Sequence, residues 1–86
     1  MHFDGSGNAE YTVYLTAGVH VVEVRVGGYG EVRIDVYDPD GQAVRPSVIM
    51  GPHQQLIGSY VLRVPEDGDY TVAITSQVDW TVEIGE

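Results

Sequence analysis

The sequence predicts an all-β chain, an antiparallel β-sandwich of seven to eight short strands. Three observations carry that reading. Apolar and polar residues alternate with period two along most of the 86 residues. Clusters of Gly, Pro and Asp return every eight to twelve residues, as turns between short strands do. No stretch keeps a helical period of apolar positions over ten residues. Alternation with one polar side marks antiparallel sheets that face a core on one side and water on the other.

The elements follow in order. Residues 1–8 are expected to be a flexible lead-in or linker to a single domain spanning 1–86. "YTVYLT" (11–16) turns Tyr11, Val13 and Leu15 one way and Thr12 and Tyr14 the other. Ala17-Gly18 is a turn signal. "VHVVEVRV" (19–26) sets His20, Val22, Val24 and Val26 inward and Val21, Glu23 and Arg25 outward. "GGYG" (27–30) breaks the pattern and leaves Tyr29 in a loop. "EVRIDVY" (31–37) turns Val32, Ile34 and Val36 inward and Arg33, Asp35 and Tyr37 outward. "DPDG" (38–41) is a hairpin turn: proline pre-sets φ and glycine takes the positive φ that closes it.

"QAVRPSVIM" (42–50) is a weaker strand, because Pro46 has no N–H for a ladder and belongs at an edge or a bulge. "GPHQQ" (51–55) reads as a loop, and "LIGSYVLRV" (56–64) as a strand with a bulge at Gly58. "PEDGD" (65–69) turns the chain, with Gly68 placed for positive φ. "YTVAIT" (70–75) sets Tyr70, Val72 and Ile74 inward, and "SQVD" (76–79) is a short loop. "WTVEI" (80–84) sets Trp80, Val82 and Ile84 inward.

Composition narrows the function. Four Arg against thirteen Asp and Glu give a net charge of −9, and there is no lysine. Such a chain repels phosphate backbones and anionic lipid headgroups, so neither nucleic acid nor a membrane surface is an expected partner. The acids lie in turns and at outward strand positions, where they keep the chain in solution. No cysteine is present, which excludes disulfides and thiolate metal sites. No apolar run approaches the ~20 residues of a membrane helix. The opening "MHFDGSGNAE" has neither the basic nor the apolar region of a signal peptide.

Four stretches in order, "LTAGVHVVEVRV", "VRIDVYDPDGQAV", "VPEDGDYTVAI" and "DWTVEI", resemble the pre-peptidase C-terminal domain family over roughly residues 10 to 84. The resemblance implies a small jelly-roll-like β-sandwich. It also implies a non-catalytic appendage of a larger secreted or cell-surface protein, often a protease. Some members of that family hold calcium through acidic residues near the N-terminal segment, and some bind fibrous protein through exposed tyrosines. In this chain the N-terminal segment offers Asp4, Asn8 and Glu10 as oxygen ligands. His20 stands where relatives carry a large aromatic or aliphatic residue.

The residues themselves point the same way. Calcium needs six to eight converging oxygens. Asp38 and Asp40, and Asp67 and Asp69, are the weak candidates, since "DPDG" lacks the third acid and the closing glutamate of a calcium loop. These acids read first as turn chemistry, and no metal or cofactor is expected, calcium remaining the one candidate. No two histidines have zinc spacing, and no serine lies in a nucleophile motif, so no enzyme is expected. Trp80 shares the inward parity of Val82 and Ile84 and belongs to the core. Tyr14, Tyr29 and Tyr37 remain as candidate ligand anchors, for a protein or a polysaccharide. A carbohydrate-binding or calcium-stabilised module is the alternative within this class. His20 is the one polar residue on an apolar face, and its ring must find partners there.

Overall fold

Among the described residues eight strands form, most of them where the alternation lies: β1 His2–Ser6, β2 Ala9–Leu15, β3 Gly18–Gly27, β4 Tyr29–Tyr37, β5 Ala43–Gln54, β6 Ile57–Val64, β7 Gly68–Ser76 and β8 Asp79–Ile84. The structure is a computed structural model. It describes residues 1–54 and 57–85, and within them all side chains except those of 45–47, 50 and 52–54. Leu56, expected to open a strand, and Gln55, expected in a loop, lie outside the described residues.

Two four-stranded antiparallel sheets face each other, one in the order β1-β8-β3-β6 and the other β2-β7-β4-β5. Pairs β1·β8, β2·β7, β3·β6 and β4·β5 are those of one long hairpin. The pairs β3·β8 and β4·β7 roll that hairpin into two layers. This is the jelly-roll connectivity, which the all-β reading left open and the resemblance implied.

Strand parity decided the core. Leu15 from β2, Val22 and Val24 from β3, and Val32, Ile34 and Val36 from β4 are buried, with Leu62, Val72, Ile74 and Val82 from the later strands. Tyr70 and Trp80 are the largest fully buried side chains. Each carries a polar atom inward and each finds a partner: Tyr70 Oη donates to Glu66 O at 2.6 Å, and Trp80 Nε1 to Gly7 O at 2.8 Å. Tyr11 stands edge-on to Trp80, with ring centroids 6.2 Å apart, and Phe3 leans on Tyr11 at 4.5 Å. Such aromatic pairs contribute about 0.5–1.5 kcal/mol beyond their burial.

Five expectations change. Residues 2–6 of the expected lead-in are a strand, paired from His2↔Glu83 to Ser6↔Asp79. Their sequence carries no alternation, because Phe3 is their one apolar residue on the core and backbone bonds to β8 hold the rest. Tyr29 opens β4 instead of lying in a loop; Gly28, at φ 99, is enough to break the pattern. The loop expected at 51–55 is strand through Gln54. Gly51 makes this possible: at φ 106, it lets the strand continue where an added Cβ would meet Gly30 O at 2.5 Å. The bulge expected at Gly58 is absent, since β6 pairs with β3 without a shift from Ile57 to Val64. The irregularities fall on β5 instead, between Gly30/Val32 and Ile34/Val36 of its partner, the second spanning Pro46 on an edge strand. Finally, Gly68 does not take positive φ. It is small for a different reason: a Cβ there would lie 3.2 Å from Pro39 Cγ, where the β4–β5 turn packs on the start of β7.

Candidate functional site

The acidic turns meet in space, and two of their carboxylates, those of Asp38 and Asp67, are spent on the backbone. Asp38 Oδ1 accepts the N–H groups of Asp40 at 3.0 Å and Gln42 at 2.8 Å, and Gly41 N–H closes the turn on Asp38 O at 2.9 Å. Gly41 sits at φ 85, as the "DPDG" reading required. Asp67 Oδ1 accepts Ala17 N–H at 2.6 Å and so fastens the β6–β7 turn to the β2–β3 turn. A hollow of about 340 Å³ lies between the acidic turns, lined by Asp38, Asp40, Glu66, Asp67 and Tyr70 among others. Asp69 faces the other side, beside Tyr14 and Thr71. Among the described residues no three His, Asp or Glu side chains are grouped to hold a metal ion.

The three candidate tyrosines divide into two places. Tyr29 begins β4 and Tyr37 ends it, so at about 3.3 Å per residue they stand roughly 26 Å apart. Tyr29 is 69 % exposed at the rim of a cleft of about 800 Å³ lined by Asn8, Glu31, Thr75, Gln77 and Val78. Asn8 and Ser76 build the floor of that cleft. Asn8 Oδ1 accepts Ser76 N–H at 3.1 Å, and Ser76 Oγ donates to Glu31 O at 2.9 Å. Tyr14 and Tyr37 both lie on the outer face of the second sheet, on β2 and β4, with β7 between them.

The register builds that outer face in rows. Thr12, Thr71 and Tyr37 form one row across β2, β7 and β4. Glu10, Ala73 and Asp35 form the next, in which the small Ala73 leaves a low point between two carboxylates. Tyr14 stands opposite Asp69 on the other side of the threonine row. Tyr37 is half-buried, and with Glu10, Asp38, Pro39, Asp69 and Thr71 it lines a groove of about 530 Å³. Asp35, expected outward, keeps that parity yet is only 8 % exposed; Arg33 Nε donates to its Oδ2 at 2.9 Å and holds it in place. Sequence parity placed Thr12, Asp35 and Thr71 outward and left Glu10 before the strand, and it gave no sign that they lie in or beside the row of Tyr37. That depends on which strand lies between which.

His20 is 4 % exposed, with Nδ1 2.7 Å from Gly85 O and Nε2 2.7 Å from Thr16 O. Both partners are acceptors. A neutral ring donates to one carbonyl and turns a lone pair to the other, whereas the doubly protonated ring donates to both. The residue ties the end of β2 to the chain beyond β8, which is a structural duty.

No protein-family model matches the chain, and no curated protein matches its sequence significantly.

Proposed function

We propose that this chain is a non-catalytic binding module whose ligand face is the outer side of β2, β7 and β4, centred on Tyr37. One observation carries the reading: a half-buried tyrosine ring stands in a row with two threonine hydroxyls, with carboxylates from Glu10 and Asp69 lining the same groove. A ring offers its face to C–H groups, and hydroxyls and carboxylates offer short hydrogen bonds to hydroxyls. The ligand that uses both is a neutral, hydroxyl-rich chain, a polysaccharide. The acidic charge of the face and of the whole molecule disfavours anionic polymers. The resemblance to pre-peptidase C-terminal domains supports a place for the module in a larger secreted or cell-surface protein.

The test is affinity electrophoresis and calorimetry with soluble neutral glucans, xylans and mannans, and with polygalacturonate as the anionic comparison. Binding to a neutral polymer that Tyr37→Ala abolishes and Tyr29→Ala leaves unchanged is the expected result. No binding to any neutral polymer, or binding that survives Tyr37→Ala, overturns the proposal.

A further inference from the structure

We propose that β6 pairs edge to edge with β6 of a second copy across a two-fold axis at Val61, joining two first sheets into one continuous sheet. The surface concerned lies on the opposite sheet from the Tyr37 face and is independent of it.

A sandwich of two open sheets has four edge strands, here β1, β6, β2 and β5. An uncovered edge offers unpaired N–H and C=O groups to any passing strand, and folded proteins blunt such edges. Strand β5 contains Pro46 and Pro52 and two register irregularities. Strand β1 is only five residues long. Strand β2 turns Glu10, Thr12 and Tyr14 outward. Strand β6 has neither proline, nor a register shift, nor an acidic side chain on its outward face, where Ser59 and Arg63 alternate with Ile57 and Val61. It runs eight residues without proline, paired to β3 without a shift, and among the described residues no strand lies on its other side.

Its outward face is aliphatic. Ile57 and Val61 on β6 are 66 % and 45 % exposed, and Val19 and Val21 on β3 are each 54 % exposed. Val21 stands directly opposite Val61. On β3 and β6 the ionic groups of this face are Arg25, Arg63 and Glu23; further from the edge Glu83 on β8 stands opposite Glu23, and Asp79 and Asp4 lie near Arg25. The strip nearest the edge thus holds two of the four arginines against one glutamate, which lessens the repulsion that a second acidic copy meets there.

A two-fold axis at Val61 makes the face complementary to itself. Residue pairs across the interface then sum to 122, so Val61 meets Val61 and Arg63 meets Ser59. One row reads Val21, Val61, Val61, Val21 across both copies, a continuous aliphatic strip. In the flanking rows Arg63 of one copy faces Ser59 of the other, and beyond Ser59 stands Glu23, its partner on β3. Serine is short enough for the guanidinium to reach over it. Glu23 uses Oε1 on Arg25 Nε and Nη2, at 3.2 and 3.1 Å, which leaves Oε2 for the incoming Arg63. The same contact repeats on the other side of the axis, as an isologous interface requires. Arg63 has no ion pair within its own chain among the described residues.

Analytical ultracentrifugation of the 86-residue chain from micromolar to millimolar concentration tests this. The expected mass rises with concentration from 9.4 kDa towards twice that value. Val61→Lys holds the chain at monomer mass where the parent is dimeric, with an unchanged circular dichroism melt, since the side chain is exposed. Glu23→Arg and Arg63→Glu each weaken association, and the double variant restores it. A parent chain that stays monomeric throughout overturns the proposal and leaves the β6 edge to a different partner. A dimer indifferent to Val61→Lys, or singles that the double does not rescue, overturns it by placing the contact elsewhere or in another register.

Discussion

The carboxylate of Asp67 accepts the backbone N–H of Ala17 at 2.6 Å, across fifty residues of sequence. The bond joins two turns at one end of the sandwich. It gives one member of the densest acidic cluster a structural task. Asp67→Ala is expected to cost about 1 kcal/mol, because the bond is charge-assisted but exposed. Asp40→Ala, whose carboxylate makes no bond among the described residues, should stay within about 0.5 kcal/mol of the parent. Urea denaturation of both variants decides it: equal stabilities would mean that Asp67 only carries charge.

Trp80 packs under Gly5, where an added Cβ would lie 3.0 Å from the indole Cζ2 and 3.3 Å from Cη2. Gly5→Ala must therefore push β1 off β8 or tilt the ring, at about 1–3 kcal/mol. Trp80→Phe keeps much of the volume but leaves Gly7 O without its donor. Native emission should be blue-shifted and insensitive to iodide, and should move red on unfolding. Ready quenching in the folded state would contradict the burial.

How much was legible follows from what each feature depends on. The inward sets of β2, β3, β4, β7 and β8 could be read because period two needs only local sequence. Strand β1 could not, since "HFDGS" offers Phe3 alone to the core and is otherwise held by its partner's backbone. The extension of β5 past Pro52 was hidden because it rests on Gly51 taking a conformation that glycine permits and does not announce. The Tyr37 face was half legible. Tyr14 and Tyr37 were named from parity, but Glu10 and Asp35 come together only because β7 lies between β2 and β4. No residue in the chain states that order.

His20→Phe restores the apolar pattern of its strand and should keep the fold, yet it removes the partners of Thr16 O and Gly85 O. The neutral ring donates to one of them, so one partly buried carbonyl loses its donor, at about 1–3 kcal/mol. Thermal melts at one pH, with the backbone fold checked by amide NMR, provide the measurement. A variant as stable as the parent would show that water replaces the ring's hydrogen bond.

His2 gives a pH dependence of known sign. Its Nδ1 lies 3.0 Å from Glu83 Oε1, and Asp4 stands 3.5 Å from Nε2. The hydrogen bond to Glu83 raises the ring above its ordinary 6.5, against a smaller opposing effect of burial and with further help from Asp4. The folded state then holds the proton more tightly than the unfolded one. The contribution is complete below the unfolded value and is lost as pH rises through the folded one. Denaturant midpoints of the parent should fall through that window more steeply than those of His2→Gln. Parallel curves would show that the exposed pair is broken in solution.

Tyr60 carries the clearest alkaline signature. Its hydroxyl is buried and has no hydrogen-bond partner among the described residues. Burial pushes the phenol up to about 12, and the negative charge of Asp35 adds to the effect. The neutral form is thus favoured by folding. The sign is that of an acid with a raised folded value: stability is complete below the unfolded pKa of about 10 and is lost as pH climbs towards 12. The loss amounts to on the order of 2 kcal/mol. Tyr60→Phe removes both effects. At neutral pH it takes away a hydroxyl that gains no bond from burial, so stability should be unchanged or higher by up to about 1 kcal/mol. Between pH 10 and 12 the variant should lose less stability than the parent, by the share that Tyr60 contributes. Ultraviolet titration at 295 nm of parent and variant isolates the group, since the missing late step belongs to Tyr60. A variant less stable than the parent at neutral pH, or an alkaline limb that the substitution leaves untouched, would mean that the hydroxyl is bonded in solution.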